Sequence, residues 1–531
     1  MTRGTTSFVD WLSKRLKKAG LRRIFGVPGG GTSLDLIYAM RNQNIDSVVT
    51  AREDAAVIMA GVSGVLSHGP GVAFTTKGPG LASATNGLAS ASLDRLPALL
   101  ISEAFGEKEL EFLSHQVFSQ TDLIEPLLKK GRGSVLAPAI NAVENWLEQP
   151  AMVPAVMFPS SPDLQAQINH TPEPQAQSTP TAPDVGSAKT LLDGAKSPVV
   201  VIGLEAARSI CTSELREFVN QLGAPVLCTY MAKGCVADTD PHFAGLFTGG
   251  AIEQDCMNSA DLIVLIGLDP VELIRKPWAY TAPILDICKR IYDPHYFTPT
   301  FRVAGPLDLT LHTLAKTISA STWQLETIAN FKAGFIRGME QGGSAGLSSA
   351  SVVKAVLDHF SGTPRLAVDA GAHMFSACAF WPAKAPNDLL ISNGLASMGF
   401  AVPAAIAAAL HEPERGAIAI TGDGGFLMCL GELNTAAETK ANITVVVFND
   451  GCLSLIDTKR KDRQMPDLGL SWTPPDFAAI ARGFGFQAWR INDPSELDEA
   501  LGEAAQSTGP RLVDIRIDSS GYREQLLALR G

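Results

Sequence analysis

The chain has 531 residues, more than one hydrophobic core sustains, and at about 100–200 residues per domain it divides into about three. Apolar residues make up 46% and charged residues 18%, a balance that suits buried parallel sheets and a large subunit interface. A net charge of −11 without a basic run argues against nucleic acid, and no apolar stretch of about 18 residues offers a membrane span. The start, Met1 to Lys18, is charged and amphipathic, unlike a signal peptide, so a cytoplasmic protein is expected. The eight cysteines are scattered with no C-x-x-C pair, which suggests neither a zinc site nor a disulfide framework.

From Ile24 to Ala104 strands and helices alternate: Ile24–Val27 into the turn Pro28–Gly31, Ser47–Thr50 into Arg52–Leu66, Val72–Thr76 into Leu81–Leu93, then Ala98–Glu103. That alternation predicts a parallel α/β sheet. Between about 160 and 186 the chain is rich in Pro, Gln, Ser and Thr and reads as a linker. A second α/β unit follows, with strands at Pro198–Gly203, Pro225–Tyr230, Leu262–Gly267 and Pro283–Ile287. The third alternates again, with strands Arg365–Asp369, Leu389–Ser392, Ala417–Thr421, Ile443–Asn449 and Arg511–Ile517. The expected domains are therefore 1–163, 186–330 and 348–531, the first and third related in architecture around a central one.

The chemistry-bearing motif is in the third unit. Strand Ala417–Thr421 runs into Gly422-Asp423-Gly424-Gly425, and Phe426–Lys440 places Phe426, Leu430, Leu433 and Ala437 on one helical face. The next strand ends at Asn449-Asp450-Gly451. In a βαβ unit both strand ends lie side by side at the carboxyl edge, where open sheets place ligands, so Asp423 and Asp450 can converge. Taken singly, Gly-Asp-Gly reads equally as an ordinary turn and Asp450 as a solvated strand end. Together, two carboxylates at a glycine-lined helix start call for a cation, and glycine amides suit a phosphate; Mg²⁺ bridging a diphosphate meets both demands.

Gly422-Asp423-Gly424 followed by Asn449-Asp450 resembles the diphosphate- and magnesium-binding signature of thiamine-diphosphate enzymes. Within them the chain is similar to the acetohydroxyacid synthase, pyruvate oxidase and benzoylformate or pyruvate decarboxylase superfamily. The family pattern usually ends in two asparagines; Asp450 replaces the second, keeping an oxygen donor and adding charge. The resemblance implies three mainly parallel α/β domains (pyrimidine-binding, central and diphosphate-binding), with thiamine diphosphate and Mg²⁺ as cofactors. The metal ligands would be Asp423, Asp450 and the backbone carbonyl of Cys452, with Gly424 and Gly425 beside the diphosphate.

Other stretches match the family in the same order: Ala51-Arg52-Glu53-Asp54, Thr76-Lys77-Gly78-Pro79-Gly80, Asn86-Gly87 and Asp94-Arg95-Leu96-Pro97. By resemblance Glu53 would hydrogen-bond the aminopyrimidine ring, whose imino nitrogen then removes the weakly acidic thiazolium proton. In Gly394–Phe400, Met398 would wedge between the two cofactor rings and the Ala396 carbonyl would accept the exocyclic amine. His373 is either a diphosphate contact or a structural histidine. In the Ser114–Gln120 stretch, His115 and Gln116 would move protons or bind a substrate carboxylate.

The function this implies is decarboxylation of a 2-oxo acid, carboligation of the acyl carbanion to an aldehyde or ketone, or both. An acetohydroxyacid-synthase-like obligate carboligase is the alternative, and a non-catalytic cofactor-binding relative a second. A flavin-dependent oxidase has no G-x-G-x-x-G support in the central unit. The family's geometry implies a homodimer or homotetramer with active sites between subunits.

Overall fold

Runs such as Pro198–Ile202, Leu262–Ile266 and Ile443–Asn449 are buried along their whole length, as strands covered by helices on both faces must be. The computed structural model describes residues 6–131, 133–148, 153–168, 183–274, 276–293, 295–340, 346–360 and 364–531. Three six-stranded sheets carry the chain, and every strand pairing within them is parallel. The expected fold class is the one found.

The first sheet uses Arg23–Val27, Asp46–Val49, Gly71–Thr75, Ala98–Ser102, Ser134–Leu136 and Ala155–Met157. Numbered along the chain, its strands stand in the order 2-1-3-4-6-5. The third sheet, from Arg365–Val368, Leu389–Ile391, Ala417–Gly422, Ile443–Asn449, Gln487–Ile491 and Arg511–Arg516, repeats that order. The central sheet, from Pro198–Ile202, Val226–Cys228, Phe243–Leu246, Leu262–Ile266, Ile284–Cys288 and Phe301–Ala304, has the different order 3-2-1-4-5-6. The first and third units thus share an architecture that the central one does not.

One apolar cluster joins the first and third units: Val57, Met59 and Val62 of helix Glu53–Ser67 pack with Ala401, Ala404, Ala405 and Ala408 of helix Ala401–His411. Small side chains all round the second helix let both neighbours approach closely. Ion-paired Arg95 and Asp269, 2.8 Å apart and both buried, tie the first unit to the central one.

Two local expectations give way. The linker expected over about 160–186 begins as helix Ser161–Gln165, and Gln167–Ile168 pairs antiparallel with Thr6–Ser7; its stretch 169–182 lies outside the described residues. The single helix expected over Phe426–Lys440 is two, Asp423–Cys429 and Glu432–Glu438, interrupted at Leu430-Gly431, where another part of the chain passes close by. All eight cysteines are free, seven of them buried, and among the described residues no helix is long and apolar enough to cross a membrane.

Candidate active site

The parallel register sets Gly422 opposite Phe448, so two strand ends finish level at the carboxyl edge of the third sheet. The first passes directly into helix Asp423–Cys429. Asp423 is 2% exposed; its Oδ2 accepts the Gly451 N–H at 2.7 Å and its Oδ1 that of Gly424 at 2.8 Å. One carboxylate therefore stitches the two turns together. Asp450 accepts the Cys452 N–H at 3.2 Å and the Ser454 hydroxyl.

Burial first, then the facing Asp450, pushes the Asp423 carboxyl up to about 6, and burial raises Asp450 too. Both prefer a proton or a cation to bare charge. Among the described residues no group of three or more His, Cys, Asp or Glu is placed to hold a metal ion, so further ligands would come from backbone, water and the bound molecule, as Mg²⁺ favours.

His373 opens the neighbouring helix His373–Phe380. Its ring is buried, its Nε2 has no hydrogen-bond partner, and burial depresses its pKa to about 4. A Cβ on Gly422 would come within 3.3 Å of that ring. Glycine turn, helix start and an orphaned ring nitrogen beside a carboxylate pair fit a metal-bound diphosphate.

The turn before helix Ala401–His411 is held under backbone strain. Ala396 has φ +56° and Gly399 φ +85°, conformations that L side chains rarely adopt. Asp369 fixes it: its buried carboxylate accepts N–H groups of Gly399 at 2.9 Å and Phe400 at 3.1 Å, and the Thr421 hydroxyl at 2.9 Å. Burial pushes that carboxyl up to about 6. A Cβ on Gly424 would lie 3.3 Å from the Met398 methyl, so Met398 lies over the glycine turn. From the first unit, buried Asp94 accepts the Gly394 N–H at 2.7 Å and the Ser392 hydroxyl at 2.6 Å, pinning the other end of the loop.

His373, Ala396, Met398, Gly422, Asp423, Gly424, Gly425, Asp450 and Cys452 together line one cavity of roughly 470 Å³. Val271, Leu273 and Ile274 of the central unit and Tyr522 and Arg530 of the last helix line it too. Glu53, His115 and Gln116 do not. Glu53 begins helix Glu53–Ser67 and is half-buried. His115 and Gln116 lie in an exposed stretch; Gln116 has φ +62°, and its carbonyl oxygen would come within 2.8 Å of a Cβ on Gly78.

Three buried acids are additions to the residues singled out in sequence: Asp94, Asp369 and Glu432. Glu432 accepts the N–H groups of Arg52 at 3.0 Å and Ala51 at 3.4 Å and the Thr435 hydroxyl at 2.7 Å. Burial pushes its carboxyl up to about 7. Asp94 sits inside the Asp94-Arg95-Leu96-Pro97 motif and Asp369 ends a predicted strand, but nothing in the sequence marks their amide partners, and Glu432 carries no local signal.

Comparison with known proteins matches residues 6–125 to the family described as thiamine pyrophosphate enzyme, N-terminal TPP binding domain. Residues 185–287 match the central domain and 369–515 the C-terminal TPP binding domain of the same enzymes. An acetolactate synthase of Bacillus subtilis (strain 168) is 25% identical, the match covering 98% of this chain and 94% of that protein. A catabolic acetolactate synthase of Raoultella terrigena is 27% identical, over 98% and 96%. The acetolactate synthase isozyme 3 large subunit of Escherichia coli (strain K12) is 25% identical, over 97% and 96%.

Proposed function

Because this chain belongs to the thiamine pyrophosphate enzymes and is a thiamine-diphosphate-dependent decarboxylase or carboligase, we propose that it decarboxylates a 2-oxo acid and joins the acyl carbanion to a second carbonyl. Similarity along nearly the whole length of several acetolactate synthases carries this reading and favours a second 2-oxo acid as acceptor. Bound thiamine diphosphate supplies the nucleophilic carbon and takes up the electron pair released with CO₂.

Around it, Asp423, Asp450 and the Cys452 carbonyl hold Mg²⁺, and the amides of Gly424 and Gly425, with His373, hold the diphosphate. The fit of the carboxylate pair to a cation supports the first assignment and the unpartnered His373 nitrogen supports the second. Met398, which lies over the glycine turn, would press against the cofactor's rings, and the Ala396 carbonyl would accept its exocyclic amine; the contact with the turn supports the first role and the positive φ of Ala396 the second. Glu53 holds a proton on the pyrimidine ring, and His115 and Gln116 serve the substrate.

These last three come from a second copy of the chain. The reading is supported by their separation from the cavity and by apolar side chains left exposed on both halves: Leu427 and Met428 on the Asp423 helix, Tyr38, Val49 and Phe112 on the first unit. Apolar surface of this kind marks an interface where it is contiguous.

The test is CO₂ release from a panel of 2-oxo acids with thiamine diphosphate and Mg²⁺, with and without an added acceptor. Release coupled to a 2-hydroxy-3-oxo acid is expected. Release with free aldehyde as the product would make it a simple decarboxylase, and no release from any acid would remove the assignment.

A further inference from the structure

The Glu53 helix begins without a cap of its own. Arg52, its N-cap residue, is extended (φ −140°, ψ 150°) and makes no side-chain cap hydrogen bond; within the first turn Asp54 Oδ1 accepts the Ala55 N–H at 3.0 Å, and the Ala51 and Arg52 amides just before the helix need acceptors from elsewhere. They find the Glu432 carboxylate, which reaches across from the third unit to Ala51 and Arg52. A Cβ on Gly431 would come within 3.0 Å of the Ala51 Cβ. The break between helices Asp423–Cys429 and Glu432–Glu438 is thus the seat on which the Glu53 turn rests.

We propose that Glu432 is a positioning residue that fixes the direction of Glu53 by gripping the two amides immediately before it. The proposal rests on the reading of Glu53 as the proton-holding partner of the pyrimidine ring. Glu432 follows the Asp423 helix in sequence, so one chain's metal-holding half and its Glu53 half are joined by these hydrogen bonds. Losing the carboxylate leaves two N–H groups unpaired at the helix start and frees the turn to rotate, with the metal and diphosphate ligands untouched.

The experiment compares Glu432→Ala, Glu432→Gln, Glu53→Gln and the Glu53→Gln/Glu432→Ala double variant in the full chain. Three readouts are taken: deuterium exchange of the thiazolium C2 proton in the holoenzyme, thiamine diphosphate affinity, and amide hydrogen exchange over residues 51–56 without cofactor. Glu432→Ala is expected to slow C2 exchange by about 10-fold or more, with affinity within about twofold of wild type and protection of 51–56 reduced. Glu432→Gln, whose amide oxygen still accepts the Arg52 N–H, should keep most of the exchange rate and serves if the alanine variant fails to fold. The double variant should be no slower than Glu53→Gln alone. Multiplying effects in the double variant, normal exchange in Glu432→Ala beside slow exchange in Glu53→Gln, or unaltered protection of 51–56 overturns the role of Glu432. Wild-type exchange in Glu53→Gln overturns the reading of Glu53, and with it this proposal.

Discussion

The carboxyl edges of the third and central sheets solve one electrostatic problem in opposite ways. At the third, the turn after Gly422 leaves two repelling carboxylates facing a cavity, each already accepting backbone N–H groups. The central sheet has the strand order in which open sheets bind dinucleotides, with the crevice between its first and fourth strands. There the protein supplies its own hydrogen-bond acceptor. Glu272 accepts the Leu204 N–H at 2.7 Å, the Asp269 N–H at 3.2 Å and the Thr229 hydroxyl. A Cβ on Gly203 would lie 2.5 Å from the Leu268 Cα, so the first turn is pressed against its neighbour. An edge with one acid amid paired donors is structural, whereas one with two mutually repelling acids, relieved only in part by Arg516, awaits a ligand.

Removing one of the two acids from the open edge tests this most severely. Asp423→Ala should lower metal-dependent cofactor uptake by about 100-fold or more, since it deletes a metal ligand and the clamp on Gly451. Equilibrium dialysis of thiamine diphosphate with Mg²⁺ measures it, and normal uptake would move the site elsewhere. Met398→Ala should act more mildly: about 10-fold lower kcat from relaxed ring geometry, with diphosphate affinity near wild type. A loss of affinity with kcat retained would recast Met398 as a packing residue.

His373 sharpens the contrast through pH. Its folded-state pKa of about 4 lies below its ordinary 6.5, so the unfolded chain binds a proton that the folded chain refuses. Its contribution is present above about pH 6.5 and is lost as pH falls toward 4. The ceiling is about 3 kcal/mol. Denaturant unfolding without cofactor should show wild type losing stability relative to His373→Gln across that window. Parallel curves would mean the ring is solvated.

Much of this was legible in the sequence, for reasons that also explain the gaps. Central strands such as Leu262–Ile266 announce themselves as apolar runs because both faces are buried. Phe301–Ala304 and Gln487–Ile491 escaped because they stand at sheet edges, partly exposed and interrupted by Arg302 and Arg490. Asp423 and Asp450 were readable because glycine spacing and the βαβ rule are local, whereas His373, Ala396, Met398 and Cys452 were reached through the family resemblance. Glu432 was not: its partner Arg52 is 380 positions away, and no local pattern predicts a cap supplied by another unit. The break at Gly431 escaped likewise, because the chain that passes there is Ala51.

The smallest effect is expected at the closed edge. Flavin adenine dinucleotide added to the full chain should show no quenching of flavin fluorescence, because a diphosphate entering the crevice must displace Glu272 from the Leu204 and Asp269 amides. Displacement strands a buried carboxyl group beside Asp269, a neighbour that already helps raise its pKa; burial, the larger cause, takes it to about 8. The incoming anion would therefore exchange one satisfied set of hydrogen bonds for another while leaving Glu272 without partners, a net loss. Stoichiometric quenching would show that Glu272 moves aside, and the two edges would then differ in occupant, not in kind.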